Sequence, residues 1–160
     1  MRARPIPARP GPGADAARLA EMLRVDHAGE LAAGAIYRGQ RAVLRASPGA
    51  GRTLAQIADL EAQEDEHLAR FDALLIDRGV RPSLLAPVWR AAGFALGAAT
   101  ALIGETAAHA CTEAVESVIA ELGHHDRAIE AGSREAPGYG LLTAVIRLGC
   151  RAAIRAAEKV

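Results

Sequence analysis

The sequence predicts an all-α fold. Hydrophobic residues occupy 51% of its 160 positions while aromatic residues occupy 3%, so the interior must be built from Ala, Leu, Ile and Val, the composition of closely packed helices. Turn-forming residues cluster around 47–49, 79–82 and 133–140 and leave long periodic stretches between them. The length suits one domain with a hydrophobic core and falls short of two.

Each element follows from its local signals. Residues 1–13, MRARPIPARPGPG, carry four prolines and no apolar run, and read as a disordered arm rather than a secretory signal or an amphipathic presequence. The remaining residues, 14–160, form the single domain. A first helix is expected from Ala14 to Arg45, stopped by Ser47, Pro48 and Gly49. A second runs from Thr53 to Arg78 and ends at Gly79, with Pro82 blocking continuation. A short connection makes these two helices antiparallel neighbours.

From Pro87 to about residue 131 the sequence reads as one long helical stretch, nearly uncharged at its start except for Arg90. Gly93 and Gly97 form a GxxxG step that admits close approach by another helix or a lipid tail. The uncharged part, Ala91 to Gly104, is shorter than the roughly 20 residues a bilayer span needs, which favours a buried or interfacial helix. After the loop SREAPGYG a last helix carries Leu142, Val145, Ile146, Gly149, Ala153, Ile154 and Ala157 on its apolar stripe, with Arg147, Arg151 and Arg155 opposite.

Nineteen basic and nineteen acidic residues leave no net charge. No basic run is interleaved with aromatic residues, so a nucleic-acid partner is not expected. Cys111 and Cys150 lack CxxC spacing and sit in apolar helical contexts, where cysteine behaves as a small hydrophobe. The expected compartment is a reducing bacterial cytoplasm.

The informative residues are carboxylates on the inward faces. Leu23, Glu30, Tyr37 and Leu44 are spaced by seven, so Glu30 occupies a seam position suited to an apolar residue. On the second helix Ile57, Glu64 and Phe71 share one seam and Leu60, His67 and Leu74 the adjoining one. A solvated acidic face accounts for Glu61, Asp65 and Glu66 but not for Glu64 and His67. An unpaired buried carboxylate costs several kcal/mol, so a row of them inside a bundle calls for metal cations. Glu-x-x-His puts both side chains on one helical face. It occurs at Glu64 with His67 and again at Glu121 with His124, while Glu30 and Glu116 stand alone on their segments. One lone glutamate from each of two helices and one Glu-x-x-His from each of two others is the ligand set of ferritin-like di-metal carboxylate proteins. Oxygen-rich coordination with two imidazoles suits iron or manganese better than zinc. Asp26, one turn before Glu30, and Asp126, beside His125, are candidates to orient the ligands from behind.

RVDHAGELAAGAIYRGQ around Glu30, EDEHLARF around His67, the run RPSLLAPVWRAAGFALGAATALIGETAAHACTEAVESVI, then HHD, APGY and GCRAAI resemble the demethoxyubiquinone hydroxylase family, also called the Coq7 or clock-1 family. The resemblance extends from about residue 15 to the C-terminus. It implies a ferritin-like bundle with a carboxylate-bridged di-iron centre that activates dioxygen and hydroxylates the ring of a polyprenyl ubiquinone precursor. It further implies peripheral attachment to a membrane surface, here the cytoplasmic face of a bacterial inner membrane, with NADH as electron donor. A second copy of the chain or other ubiquinone-biosynthesis proteins are candidate partners. By motif, Glu30, Glu64, His67, Glu116, Glu121 and His124 match the six family ligands, and the uncharged run before Gly104 matches the membrane-facing element.

The chain departs from the family pattern between Glu116 and Glu121. Family members carry a hairpin of roughly thirty further residues there, whereas four residues intervene here. On one straight helix, at about 100° per residue, Glu116 and Glu121 would project about 140° apart. A reversal near Gly123, or exchange of segments between two chains, would be needed for both to serve one site. Two alternatives to an active hydroxylase follow: a non-catalytic remnant that binds quinone or lipid, and a ferritin-like protein that handles iron.

Overall fold

The computed structural model describes residues 12–121 and 139–159, and every element among them is helical. The order is α1 (Pro12–Leu44), α2 (Gly51–Asp77), α3 (Ala86–Ile103), α4 (Glu105–Glu121) and α5 (Tyr139–Lys159), which bears out the all-α reading. Helix α1 begins two residues before the expected boundary. Proline is tolerated in a first turn, where its missing N–H has no helical acceptor. Residues 1–11 of the expected arm lie outside the described residues.

Helix α2 ends where glycine permits it. Gly79 adopts φ +62°, and the N–H of Val80 donates to the Leu75 carbonyl while that of Gly79 donates to Ile76, closing the last turn through a left-handed residue.

The single stretch expected from Pro87 is instead two helices, broken at Gly104. Its φ of +139° and ψ of 171° belong to glycine alone. The Gly104 N–H donates to Thr100, and its carbonyl accepts from both Ala107 and Ala108. One residue thus ends α3 and starts α4, and the chain reverses there.

Cross-helix contacts give the directions. Arg41 meets Glu61, Arg38 meets Asp65 and His27 meets Asp72, so numbers fall on α1 as they rise on α2 and the two are antiparallel. The Gln40 amide donates to the Ala108 carbonyl and the Tyr37 hydroxyl to Glu116, which makes α4 antiparallel to α1. Gly93 lies against Ala32 and Gly97 against Ile36, so α3 runs parallel to α1. Helices α2 and α4 are therefore parallel, and the Thr53 hydroxyl donates to Glu105 near the start of both. A first antiparallel pair followed by a crossing helix that returns the chain parallel to the second is a bundle with one long connection.

The α1–α3 contact is made backbone to backbone. A Cβ on Gly93 would stand 2.6 Å from the Ala32 carbonyl oxygen, one on Gly97 would collide with the Ile36 carbonyl, and one on Gly39 with that of Phe94. The expected GxxxG step is thus answered by a third glycine on the facing helix. The main core gathers Ile36, Tyr37, Leu44, Ile57, Val115 and Ile146 from α1, α2, α4 and α5. Trp89 packs on Val25 and Ala28 as a satellite.

Among the described residues nothing covers the outer side of α3. Val88, Phe94, Leu102 and Ile103 are exposed, as is Leu84 just before the helix. By length and composition α3 suffices to cross a membrane, and 22% of it is buried. On α5, Ile146 is buried and Cys150 half-buried, while Val145 and Leu148 are exposed. The stripe expected there is therefore turned, with Val145 outside it.

Candidate metal centre

The seam on α1 is buried along its length. Leu23, Glu30, Tyr37 and Leu44 retain 6%, 8%, 0% and 1% of their surface. On α2, Ile57 and Glu64 are buried and His67 is half-buried. Antiparallel packing sets these faces against each other, and one donor atom from each of Glu30, Glu64 and His67 falls within 4.8 Å of the other two. The His67 Nδ1 stands 3.5 Å from Glu30 Oε2 and 3.8 Å from Glu64 Oε2. Those separations are too long for good hydrogen bonds and suit donors that converge on a common ion.

Burial sets the electrostatics. The Glu64 carboxyl is pushed up to about 10, first by desolvation, then by its hydrogen bond to Glu30 and by the charges of Glu30, Glu116 and Asp65. At neutral pH Glu64 therefore keeps its proton unless a cation displaces it. Among the described residues Glu64 Oε2 is buried without a hydrogen-bond partner and faces His67 Nδ1 at 3.8 Å, which leaves a lone pair for a ligand. Two buried carboxylates and an imidazole on rigid helices fit a hard divalent cation such as iron or manganese.

Glu116 approaches from α4. It accepts a 2.5 Å hydrogen bond from the Tyr37 hydroxyl, and its charge raises Glu64. Tyr37 is fully buried, and desolvation together with Glu116 raises its pKa well above the ordinary value, so the phenol keeps its proton and donates. Four of the expected ligands are therefore grouped: three within one cluster and Glu116 beside it. Glu121 ends α4 with its side chain outside the described part, and His124 and Asp126 lie outside the described residues. Asp26 is half-buried on α1, one turn before Glu30.

One reading of the acidic face needs correction. Asp65 and Glu66 are exposed as expected, but Glu61 is 8% exposed and accepts a 2.8 Å hydrogen bond from Arg41. The guanidinium supplies the charge that makes this burial tolerable. Three further contacts were missed because each depends on a partner from another helix. Tyr37 holds Glu116, His27 Nε2 lies 3.0 Å from Asp72, and Gln40 bonds both Ala108 and Thr112. The signal available for Tyr37 and Gln40 was their place on the inward face of α1. Cys111 behaves as expected, fully buried with its thiol pushed up to about 12 by desolvation.

The family model for ubiquinone biosynthesis protein COQ7 matches residues 17–121 and 119–157. A 3-demethoxyubiquinol 3-hydroxylase of Rhodospirillum rubrum is 41% identical over 181 aligned positions, covering 94% of this chain and 82% of the relative. The mitochondrial NADPH-dependent 3-demethoxyubiquinone 3-hydroxylase of Mus musculus is 40% identical over 171, covering 86% and 76%. The mitochondrial 5-demethoxyubiquinone hydroxylase of Saccharomyces cerevisiae is 38% identical over 190, covering 92% and 80%. Since 94% of 160 residues is about 150, about 30 of the 181 positions shared with the Rhodospirillum protein face no residue of this chain.

Proposed function

The chain belongs to the COQ7 family of ubiquinone biosynthesis proteins, and on that premise we propose that it is a monooxygenase that hydroxylates the ring of a demethoxyubiquinone-type polyprenyl quinone. The observation that carries the reading is the buried convergence of Glu30, Glu64 and His67 with Glu116 alongside. Two iron ions are the metal this reading requires, with Glu121 and His124 as the remaining ligands. Bound iron would supply activation of dioxygen, with one oxygen atom entering the quinone ring and the other leaving as water at the expense of two electrons and two protons. Glu30 and Glu64 would hold the cations through their carboxylates and His67 through its imidazole, and Tyr37 fixes the Glu116 carboxylate by donating a hydrogen bond to Oε1. Electrons come from a reduced nicotinamide dinucleotide. The resemblance implied NADH, and the name of the mouse relative specifies NADPH.

The polyprenyl tail requires an apolar medium, and the exposed side of α3 supports a seat for the protein on the cytoplasmic face of a bacterial inner membrane. Purified protein loaded with ferrous iron, given a short-tailed demethoxyquinone, dioxygen and a chemical reductant, should yield the product one oxygen heavier by mass spectrometry. Glu64→Ala should abolish that product and remove at least one iron. Full turnover in Glu64→Ala would sink the ligand assignment.

A second reading rests on the alignment. The two family-model segments meet at 119–121, and about 30 aligned positions of the Rhodospirillum relative have no residue here. We infer a deletion at that junction, between the third and fourth ligand helices. A chain unable to complete its metal cage would bind quinone or lipid without turnover. Iron content separates the two: about two irons per chain supports the hydroxylase, and quinone binding without iron supports the remnant.

A further inference from the structure

A cleft of about 600 Å³ opens between α1 and the first half of α3, lined by Ala35, Arg38, Ala86, Pro87, Arg90 and Phe94. Its chemistry is mixed: two guanidinium groups above an apolar floor. Arg90 is the sole charged residue of α3 and is exposed, with no acidic partner among the described residues. Arg38 donates to Asp65 across 3.2 Å in a pair whose acidic side chain is 60% exposed. An ion pair so open to water exchanges partners readily. Gly34 lies beneath the Arg38 guanidinium, where a Cβ would stand 3.2 Å from Nη2, so a glycine in the preceding turn gives Arg38 room to lie along α1.

The two arginines flank the exposed apolar side of α3 and do not interrupt it. Val88, Phe94 and Leu102 expose 53%, 45% and 75% of their surface, and no acidic residue occurs anywhere in the helix. When such a helix lies in the membrane interface its apolar side enters the acyl region, and cations on its flank come level with the phosphates. A planar guanidinium pair matches a phosphate by charge and by bidentate geometry.

We propose that the cleft between α1 and α3 seats the phosphate of an anionic phospholipid, held by Arg38 and Arg90, with the acyl chains along the exposed side of α3. The proposal rests on the reading that α3 faces a membrane. It adds a lipid class and two recognition residues, both remote in role from the Glu30, Glu64 and His67 cluster.

Co-sedimentation of the full chain with vesicles of phosphatidylcholine, alone or mixed with phosphatidylglycerol, tests it. Binding should be tighter to the mixed vesicles and should weaken with salt. Arg90→Gln and Arg38→Gln should each reduce the preference about five-fold while leaving binding to phosphatidylcholine unchanged. Inorganic phosphate at equal ionic strength to a chloride control should not compete. Specific competition by phosphate would replace the lipid with a free phosphate and overturn the proposal. Equal binding to both vesicle types, or no effect of either substitution, would overturn it while leaving the membrane-facing reading intact. Failure to bind any vesicle would overturn both.

Discussion

The Tyr37 hydroxyl donates a 2.5 Å hydrogen bond to Glu116 Oε1, and through that bond α1 fixes a carboxylate that α4 brings beside the cluster. Tyr37 has no exposed surface, so water cannot replace the donor when it is removed. Tyr37→Phe keeps the ring and its packing, and frees Glu116 to turn. Loss of a group that orients a metal ligand typically weakens metal binding by about 10- to 100-fold. Iron titration of the variant should show a decrease in that range with an unchanged circular-dichroism spectrum. Wild-type affinity in Tyr37→Phe would mean that Glu116 is positioned by something else.

Glu64 makes the metal-free protein sensitive to pH in a defined direction. Its ordinary value of 4.5 is raised to about 10 by burial and by Glu30. Between those values the folded chain keeps a proton that the unfolded chain has released. The unfolded state then binds fewer protons, so stability is fully present below about pH 4.5 and declines as pH rises towards 10. Glu64→Gln imitates the protonated acid. Its metal-free melting temperature should equal or exceed that of wild type at pH 8, with a flatter dependence on pH, even though the variant binds iron poorly. Metal binding should in turn release protons, measurable by calorimetry in buffers of different ionisation enthalpy.

The contact between α1 and α3 leaves no room for a methyl group. A Cβ at Gly97 would overlap the Ile36 carbonyl, which is backbone and cannot rotate away. Gly97→Ala should therefore cost about 1–3 kcal/mol despite alanine's better helix propensity, because the helices must separate. Thermal melts should show a loss of roughly 2–4 °C per kcal/mol. Gly29 is a control on the same helix as Gly39: a Cβ there meets nothing within 4 Å, and Gly29→Ala should stabilise slightly.

The seven-residue spacing of Leu23, Glu30, Tyr37 and Leu44 was sufficient to place Glu30 inside, because helical periodicity alone decides which side of an element is buried. The same reasoning found Glu64 and His67 and anticipated the glycine contact of α3. It misplaced Glu61, whose burial depends on Arg41 from another helix. The break at Gly104 was also missed: glycine is tolerated within helices, and only the demand for a reversal between α3 and α4 makes it a terminator. Tyr37 was legible as core and not as the donor to Glu116, since the partner lies 79 positions away.

Arg41 and Glu61 provide the last test. Glu61 is 8% exposed, its Oε1 accepts from Arg41 at 2.8 Å, and its Oε2 is buried without a hydrogen-bond partner among the described residues. Arg41 keeps 32% of its side-chain surface, so the two groups differ in how well they survive alone. Arg41→Met strands a charge in the interior. That should cost about 2–3 kcal/mol, below the 3–5 kcal/mol of fully enclosed pairs because the site is partly wet. Glu61→Leu leaves an arginine that can turn to water, and should cost about 1 kcal/mol or less. The double variant removes the desolvation penalty together with the attraction, and should return to within about 1 kcal/mol of wild type. Urea denaturation of the four metal-free proteins measures the cycle. Equal single costs that simply add would show that Glu61 is not held inside by Arg41 and that its burial has another cause.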